Sequence, residues 1–146
     1  MKRTFLLAIA ALCLCLGSNA QSRQVTNFDS GWKFALGDVN GAEAADFDDS
    51  SWTSIDLPHD WSILGPFSSE ESSGNDSGYL PTGIGWYRLH LNAKQSSRLF
   101  NKQNVHLLRF DGVYMNAEVF VNGHRLGKHP YGYTPFSFDI APFIQA

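Results

Sequence analysis

The chain has 146 residues and a mass of 16.2 kDa, the size of one domain and too small for a β/α barrel of roughly 200–250 residues. Hydrophobic residues make up 43% and charged residues 17%, which excludes a disordered tail. With 11 Lys+Arg against 14 Asp+Glu, no basic excess is available to neutralise phosphates, and nucleic-acid binding is not expected.

Lys2 and Arg3 precede an uncharged, mostly apolar run from Thr4 to Gly17, and Ser18-Asn19-Ala20 sets small residues just before Gln21. This is the pattern of a secretory signal peptide, residues 1–20, cleaved before Gln21. The apolar run falls short of the about 20 residues that a membrane span needs. The expected location is therefore secreted or periplasmic, with no membrane contact after cleavage. Cys13 and Cys15 both lie in this segment, each preceded by Leu rather than by the small residue that lipidation requires. The mature chain, 21–146, has no cysteine left for a disulfide, a thiolate metal site or a nucleophile. Such a domain depends on its hydrophobic core.

After residue 21 no convincing amphipathic helix is found, and Gly, Pro, Asn, Asp and Ser punctuate the chain at intervals that suit a sandwich or barrel. Phe28–Phe34 alternates, and Asp46–Ser51 suits one short helical turn before Trp52. Trp52–Leu57 is a second strand, closed by Pro58. Residues 62–83, with Gly65-Pro66, a Ser/Glu/Gly run and Pro81, form a long loop of a kind that is either functional or disordered. Asn75-Asp76-Ser77 within it fits the N-glycosylation pattern. Strands are expected at Gly85–Asn92 and Val105–Phe110, separated by a polar stretch from Lys94 to Asn104. Ala117, Val119 and Val121 then alternate with Glu118 and Phe120. Asn122-Gly123 supplies the two positive-φ residues of a type I′ hairpin turn, so Arg125–His129 returns antiparallel. A last strand is expected at Pro135–Ile140.

Little in this pattern suits chemistry. Glycoside hydrolysis needs two carboxyl groups facing one another across a cleft. The glutamates are Glu43, Glu70, Glu71 and Glu118; Glu70 and Glu71 are neighbours in the loop, and Glu118 is on the polar side of a strand. No catalytic pair is expected. His59, His90, His106, His124 and His129 are scattered, and the odd spacing of His124 and His129 points them to opposite faces. No metal site is expected, since three or four convergent ligands are needed. There is no Gly-x-Ser-x-Gly elbow, P-loop or dinucleotide fingerprint, and no cofactor is expected. Trp61, Tyr79, Trp86, Tyr131 and Tyr133 are of a type that stacks on sugar rings, but tryptophans more often bury their large area.

A series of motifs carries more. Gly31-Trp32-Lys33-Phe34, Asp48-Asp49-Ser50-Ser51-Trp52, Leu57-Pro58-His59-Asp60-Trp61 and Gly85-Trp86-Tyr87-Arg88 occur in order. Phe110-Asp111-Gly112-Val113-Tyr114-Met115-Asn116-Ala117-Glu118-Val119-Phe120-Val121-Asn122-Gly123 follows, then Gly132-Tyr133-Thr134-Pro135-Phe136-Ser137-Phe138-Asp139-Ile140. Over residues 25–146 the chain resembles the amino-terminal sugar-binding domain of glycoside hydrolase family 2, especially its secreted β-galactosidases. The resemblance implies an all-β, jelly-roll β-sandwich (galactose-binding-domain-like), incomplete at its carboxyl end. It implies a parent enzyme that hydrolyses terminal β-linked sugars by a retaining mechanism, with both catalytic glutamates on a barrel that this chain lacks. The chain alone is then inactive, and its partner is a β-galactoside-type carbohydrate. The 62–83 loop is the part expected to lean toward the parent active site, which makes His59, Asp60, Trp61 and Tyr79 the candidate carbohydrate contacts. Two other readings stand beside this one: a free-standing secreted carbohydrate-binding module, and a structural piece that pairs its strands with a partner chain. The sequence carries no signal for an oligomeric state.

Overall fold

A computed structural model describes residues 23–71, 73–100 and 104–144. The expected signal peptide, residues 1–20, and Cys13 and Cys15 lie outside them. Among the described residues seven strands carry the fold: β1 (Trp32–Leu36), β2 (Thr53–Ile55), β3 (Gly85–Leu89), β4 (Leu107–Phe110), β5 (Ala117–Val121), β6 (His124–His129) and β7 (Phe136–Asp139). All pairing is antiparallel, in sheets of order β2-β1-β3, β4-β7 and β5-β6. The expected strands are present, most of them a few residues shorter, because pairing runs only as far as each partner does.

One helix stands where a merely polar stretch was expected. α1 (Ala93–Leu99) opens with a reciprocal capping box. The Asn92 side chain accepts from the Gln95 N–H at 2.9 Å, and the Gln95 side chain accepts from the Asn92 N–H at 2.9 Å. The Asn-x-x-Gln spacing is the local signal for this start. The helix has no fully buried residue, so hydrophobic periodicity could not announce it. The expected helical turn at 46–51 is also revised: consecutive turns close earlier, at Ala42 to Val39 and Ala44 to Gly41, and a separate turn joins the Trp52 N–H to Asp49.

The β5–β6 hairpin forms as its sequence dictates, with Asn122 at φ 49° and Gly123 at φ 81°. The Asn122 side chain also donates to the Phe143 carbonyl at 2.7 Å, which fixes the turn against the carboxyl end of the described chain. The hairpin corrects one expectation. A bulge lies between Val119 and Phe120 in the pairing, where Val119 faces Gly127 and Phe120 faces Arg125. The extra residue, Leu126, shifts the alternation of β6 by one. His124 therefore stands opposite Val121 and His129 opposite Ala117, and the two histidines share a face. They do not converge: His124 packs on Phe143 and His129 stacks on Phe136.

Buried apolar residues are Ala42, Trp52, Val119 and Ile140. Phe47 covers Trp52 with ring centroids 5.6 Å apart, and Trp86 of β3 meets Phe120 of β5 at 6.0 Å. Arg88 fastens the 42–49 segment to β3. Its guanidinium donates to the carbonyls of Ala42 (2.6 Å) and Ala44 (3.0 Å) and to the Asp49 carboxylate (3.0 Å). Among the described residues no helix is long and apolar enough to cross a membrane.

Candidate functional site

The site grows from the β1–β3 pair. Register sets Phe34 opposite Tyr87, so both rings project from one face, with centroids 4.9 Å apart. After β2 the chain passes through a cis Leu57-Pro58 bond and returns across that face. His59 lands on it, 4.8 Å from the Phe34 ring and in a 2.9 Å hydrogen bond between Nδ1 and the Tyr87 hydroxyl. Burial, helped by the negative charge of Asp60, pushes the Tyr87 phenol above its ordinary range, so it holds its proton and remains available as a partner for His59.

Asp60 and Trp61 turn the chain into the long loop. The Asp60 carboxylate accepts from the Ser62 N–H at 3.0 Å and so begins a 3-10 turn over Ser62–Leu64. Trp61 lies along Gly83 and Gly85. A methyl group on Gly85 would stand 3.1 Å from the indole Nε1 and 3.0 Å from the Phe34 ring, so the glycine lets the tryptophan approach the strand.

The loop is not structureless, as its composition had suggested. The Ser62 hydroxyl donates to the Pro81 carbonyl at 2.6 Å and draws its two ends together. Gly65 packs against the Pro81 ring, and the Ser68 N–H donates to the Tyr79 carbonyl at 3.0 Å. A second 3-10 turn, Gly74–Ser77, ends at Gly78, and the Tyr79 N–H donates back to Gly74 at 2.9 Å. Closed ends and internal packing make this a self-closed loop. Tyr79 sits in the left-handed region at φ 62°, with 42% of its surface exposed. A non-glycine residue there costs of order 1–3 kcal/mol, and such strain concentrates at ligand-binding positions.

The structure thus brings His59, Asp60 and Trp61 to one loop entrance and holds Tyr79 farther along the same loop by backbone bonds. Phe34 and Tyr87 complete the entrance and were not singled out from sequence. The position of Phe34 in an alternating strand was the signal available for it.

Elsewhere the carboxylates are engaged structurally. Burial disfavours the charged form of Asp49, but hydrogen bonds from His90 (2.6 Å) and Arg88 outweigh it and hold the carboxyl below the usual range. Glu118 is held low by its 2.9 Å bond from Arg125. Among the described residues no group of three or more His, Cys, Asp or Glu side chains is placed to hold a metal ion. The arrangement around the loop offers ring faces together with the His59–Tyr87 pair and the Asp60 carboxylate, groups of the kind that meet a sugar's CH face and hydroxyls.

Residues 25–146 match the glycosyl hydrolases family 2, sugar binding domain. The chain belongs to this family. It is 43% identical over 132 residues to Beta-galactosidase BoGH2A of Bacteroides ovatus, a match covering 90% of this chain and 15% of that enzyme. The fold superimposes on a beta-glycosidase from Bacteroides vulgatus with a TM-score of 0.71 and 41% identity, covering 84% of this chain and 16% of the other. It superimposes on Bacteroides uniformis beta-glucuronidase with a TM-score of 0.66 and 35% identity, covering 85% of this chain and 13% of that one. What this family 2 chain shares with these enzymes is their amino-terminal sugar-binding domain.

Proposed function

We propose that the chain is the sugar-binding front of an exported retaining glycosidase that removes terminal β-linked sugars, of the β-galactoside type. In this reading the domain is a jelly-roll sandwich whose sheets are completed by further strands of a longer enzyme. The catalytic glutamates lie on a barrel beyond residues 1–146. Export is supported by the charged, apolar and small-residue succession of residues 1–20. The preference for galactosides over glucuronides is supported by the identity to the β-galactosidase of Bacteroides ovatus.

The single observation that carries a binding role is Tyr79. A self-closed loop holds an exposed aromatic ring in a strained backbone conformation, anchored through Trp61 and His59 to the β1–β3 sheet. In this reading the ring forms one wall of a sugar pocket that the rest of the enzyme closes. His59, Asp60 and Trp61 support that wall.

The test titrates the full chain with methyl β-D-galactopyranoside and methyl β-D-glucuronide, followed by tryptophan fluorescence and thermal shift. A galactoside-dependent rise in Tm that Tyr79→Gly removes supports the reading. Release of nitrophenol from a nitrophenyl β-galactoside by the purified chain would contradict it, because catalysis would then reside in these residues.

A further inference from the structure

The hydrogen bond between His59 and Tyr87 decides more than where the loop is anchored. The His59 ring lies 4.8 Å from Phe34 and 5.7 Å from Tyr87, at 68° to the latter, with its Nδ1 2.9 Å from the Tyr87 hydroxyl. It therefore sits in an aromatic slot built by β1 and β3. Its bond to Tyr87 crosses from the connection after β2 to a strand 28 residues later.

The direction of this bond follows from what each group has left. The Tyr87 hydroxyl has no other hydrogen-bond partner among the described residues. Burial and the negative charge of Asp60 keep its proton on the oxygen. A half-buried phenol satisfies that proton by donating it, and Nδ1 is the acceptor within reach. A neutral imidazole that accepts at Nδ1 carries its own proton at Nε2. Nε2 has no partner among the described residues and, unlike Trp86 Nε1, is not sealed from solvent. Its N–H is thus a donor fixed in direction and not yet used.

Donors of this kind are scarce here. No Lys or Arg occurs between Lys33 and Arg88, and the Arg88 guanidinium is engaged by Asp49 and by the carbonyls of Ala42 and Ala44. Asp60, next to His59, offers only acceptor oxygens, one of which already takes the Ser62 N–H. A sugar hydroxyl that gives its proton to a carboxylate still has oxygen lone pairs to satisfy. A neutral N–H beside the carboxylate satisfies them without attracting an anion. The opposite tautomer of His59 would set a second acceptor beside Asp60 and leave the Tyr87 proton unpaired.

We propose that Tyr87 is a positioning residue for sugar recognition: its hydroxyl holds His59 in the Nε2–H form, so that His59 gives the loop entrance a neutral donor beside the Asp60 carboxylate, a pair matched to the hydroxyls of an uncharged sugar. This role rests on the reading of the loop as part of a sugar pocket. It adds to that reading a residue of the sheet that acts through His59 rather than on the sugar itself.

The experiment uses the full chain labelled with isotopic nitrogen in histidine, with Tyr87→Phe, His59→Phe, His59→Gln and the double variant Tyr87→Phe/His59→Phe. Each substitution keeps a side chain of similar size, and thermal melts check that each protein folds. NMR at about pH 8, where an ordinary imidazole is neutral, reads the tautomer. The His59 signals, identified by their loss in His59→Phe, should show the proton on Nε2 and a hydrogen-bonded Nδ1. In Tyr87→Phe the Nδ1 signal should move to that of an unbonded nitrogen. Affinity for methyl β-D-galactopyranoside should fall about fivefold in Tyr87→Phe, the scale of one neutral hydrogen bond. It should fall further in His59→Phe, and no further again in the double variant. His59→Gln, whose amide N–H stands near the Nε2 position, should bind more tightly than His59→Phe. A proton on Nδ1 overturns the proposal, as does wild-type affinity in Tyr87→Phe. Losses that add in the double variant overturn it too, as does a His59→Gln variant that binds no better than His59→Phe. Each of these leaves the pocket reading intact. A wild-type chain that binds no galactoside overturns the pocket reading and this role with it.

Discussion

Arg88 and Asp49, 39 residues apart in sequence, meet through a 3.0 Å bond from Nε to Oδ2, and each side chain keeps only 13% of its surface exposed. The same guanidinium caps the carbonyls of Ala42 and Ala44. One cation thus satisfies a carboxylate and the backbone of an irregular segment that has no strand partner of its own. The Arg88→Ala variant leaves those acceptors without a donor and should lose about 3 kcal/mol of stability. Urea denaturation of the two proteins measures this; a loss under about 1 kcal/mol would show that water replaces the guanidinium.

The Asp49 carboxyl also sets an acid limit. Its folded pKa lies below the unfolded value because hydrogen bonds from His90 and Arg88 outweigh the burial that opposes ionisation. A depressed carboxylate contributes stability above its unfolded pKa, about 4, and loses it as pH falls through the lower folded value. Tm should therefore drop as the solution is acidified below about pH 4, and the Asp49→Asn variant, less stable at neutral pH, should show a flatter acid limb. Parallel acid limbs in the two proteins would place the acid sensitivity elsewhere.

Two tryptophans should respond unequally to the same change. The Trp32 indole donates to the Phe28 carbonyl at 2.5 Å, whereas the buried Nε1 of Trp86 has no hydrogen-bond partner among the described residues. Trp32→Phe loses a made bond, about 1 kcal/mol, besides packing area. Trp86→Phe removes a desolvated donor that gains nothing from burial, so its packing loss is largely offset. Thermal melts should rank Trp86→Phe above Trp32→Phe, and the reverse order would imply a bridging water at Trp86.

Gly127 allows β6 to lie against β7. A methyl group there would stand 2.7 Å from Phe138 Cε1 and 3.1 Å from its Cζ. Gly127→Ala should cost about 2 kcal/mol through overpacking. The double variant Gly127→Ala/Phe138→Leu should recover part of it, and denaturation of Gly127→Ala, Phe138→Leu and the double variant completes the comparison.

Tyr79→Gly separates binding from folding. Glycine accepts φ 62° without the penalty tyrosine bears, while its own chain entropy offsets part of that relief. Tm should change by no more than a few degrees. Affinity for methyl β-D-galactopyranoside should fall about tenfold or more, the loss of one stacked ring. A large fall in Tm would make Tyr79 a structural strut instead.

Much of this protein was legible locally. Alternation marked β1 and β5, Asn122-Gly123 marked the hairpin, and the ordered motifs marked the family. Each depends on near neighbours or on short spacings, which a chain displays before it folds. The helix at Ala93–Leu99 was present in the Asn92–Gln95 spacing but lacked the apolar stripe that makes helices conspicuous.

Other features required the tertiary structure. One extra residue in β6 turned His129 to the face of His124, because strand alternation has a period of two and a single insertion inverts it. Tyr114 joined Tyr131 and Tyr133 only when Gly132 let two segments touch. The sequence by itself determined the strands, the turn and the family, because those follow from residue type and short-range geometry. Tertiary structure alone decided which distant rings share a surface and where Arg88 anchors, because those contacts arise from packing between segments that sequence order keeps apart.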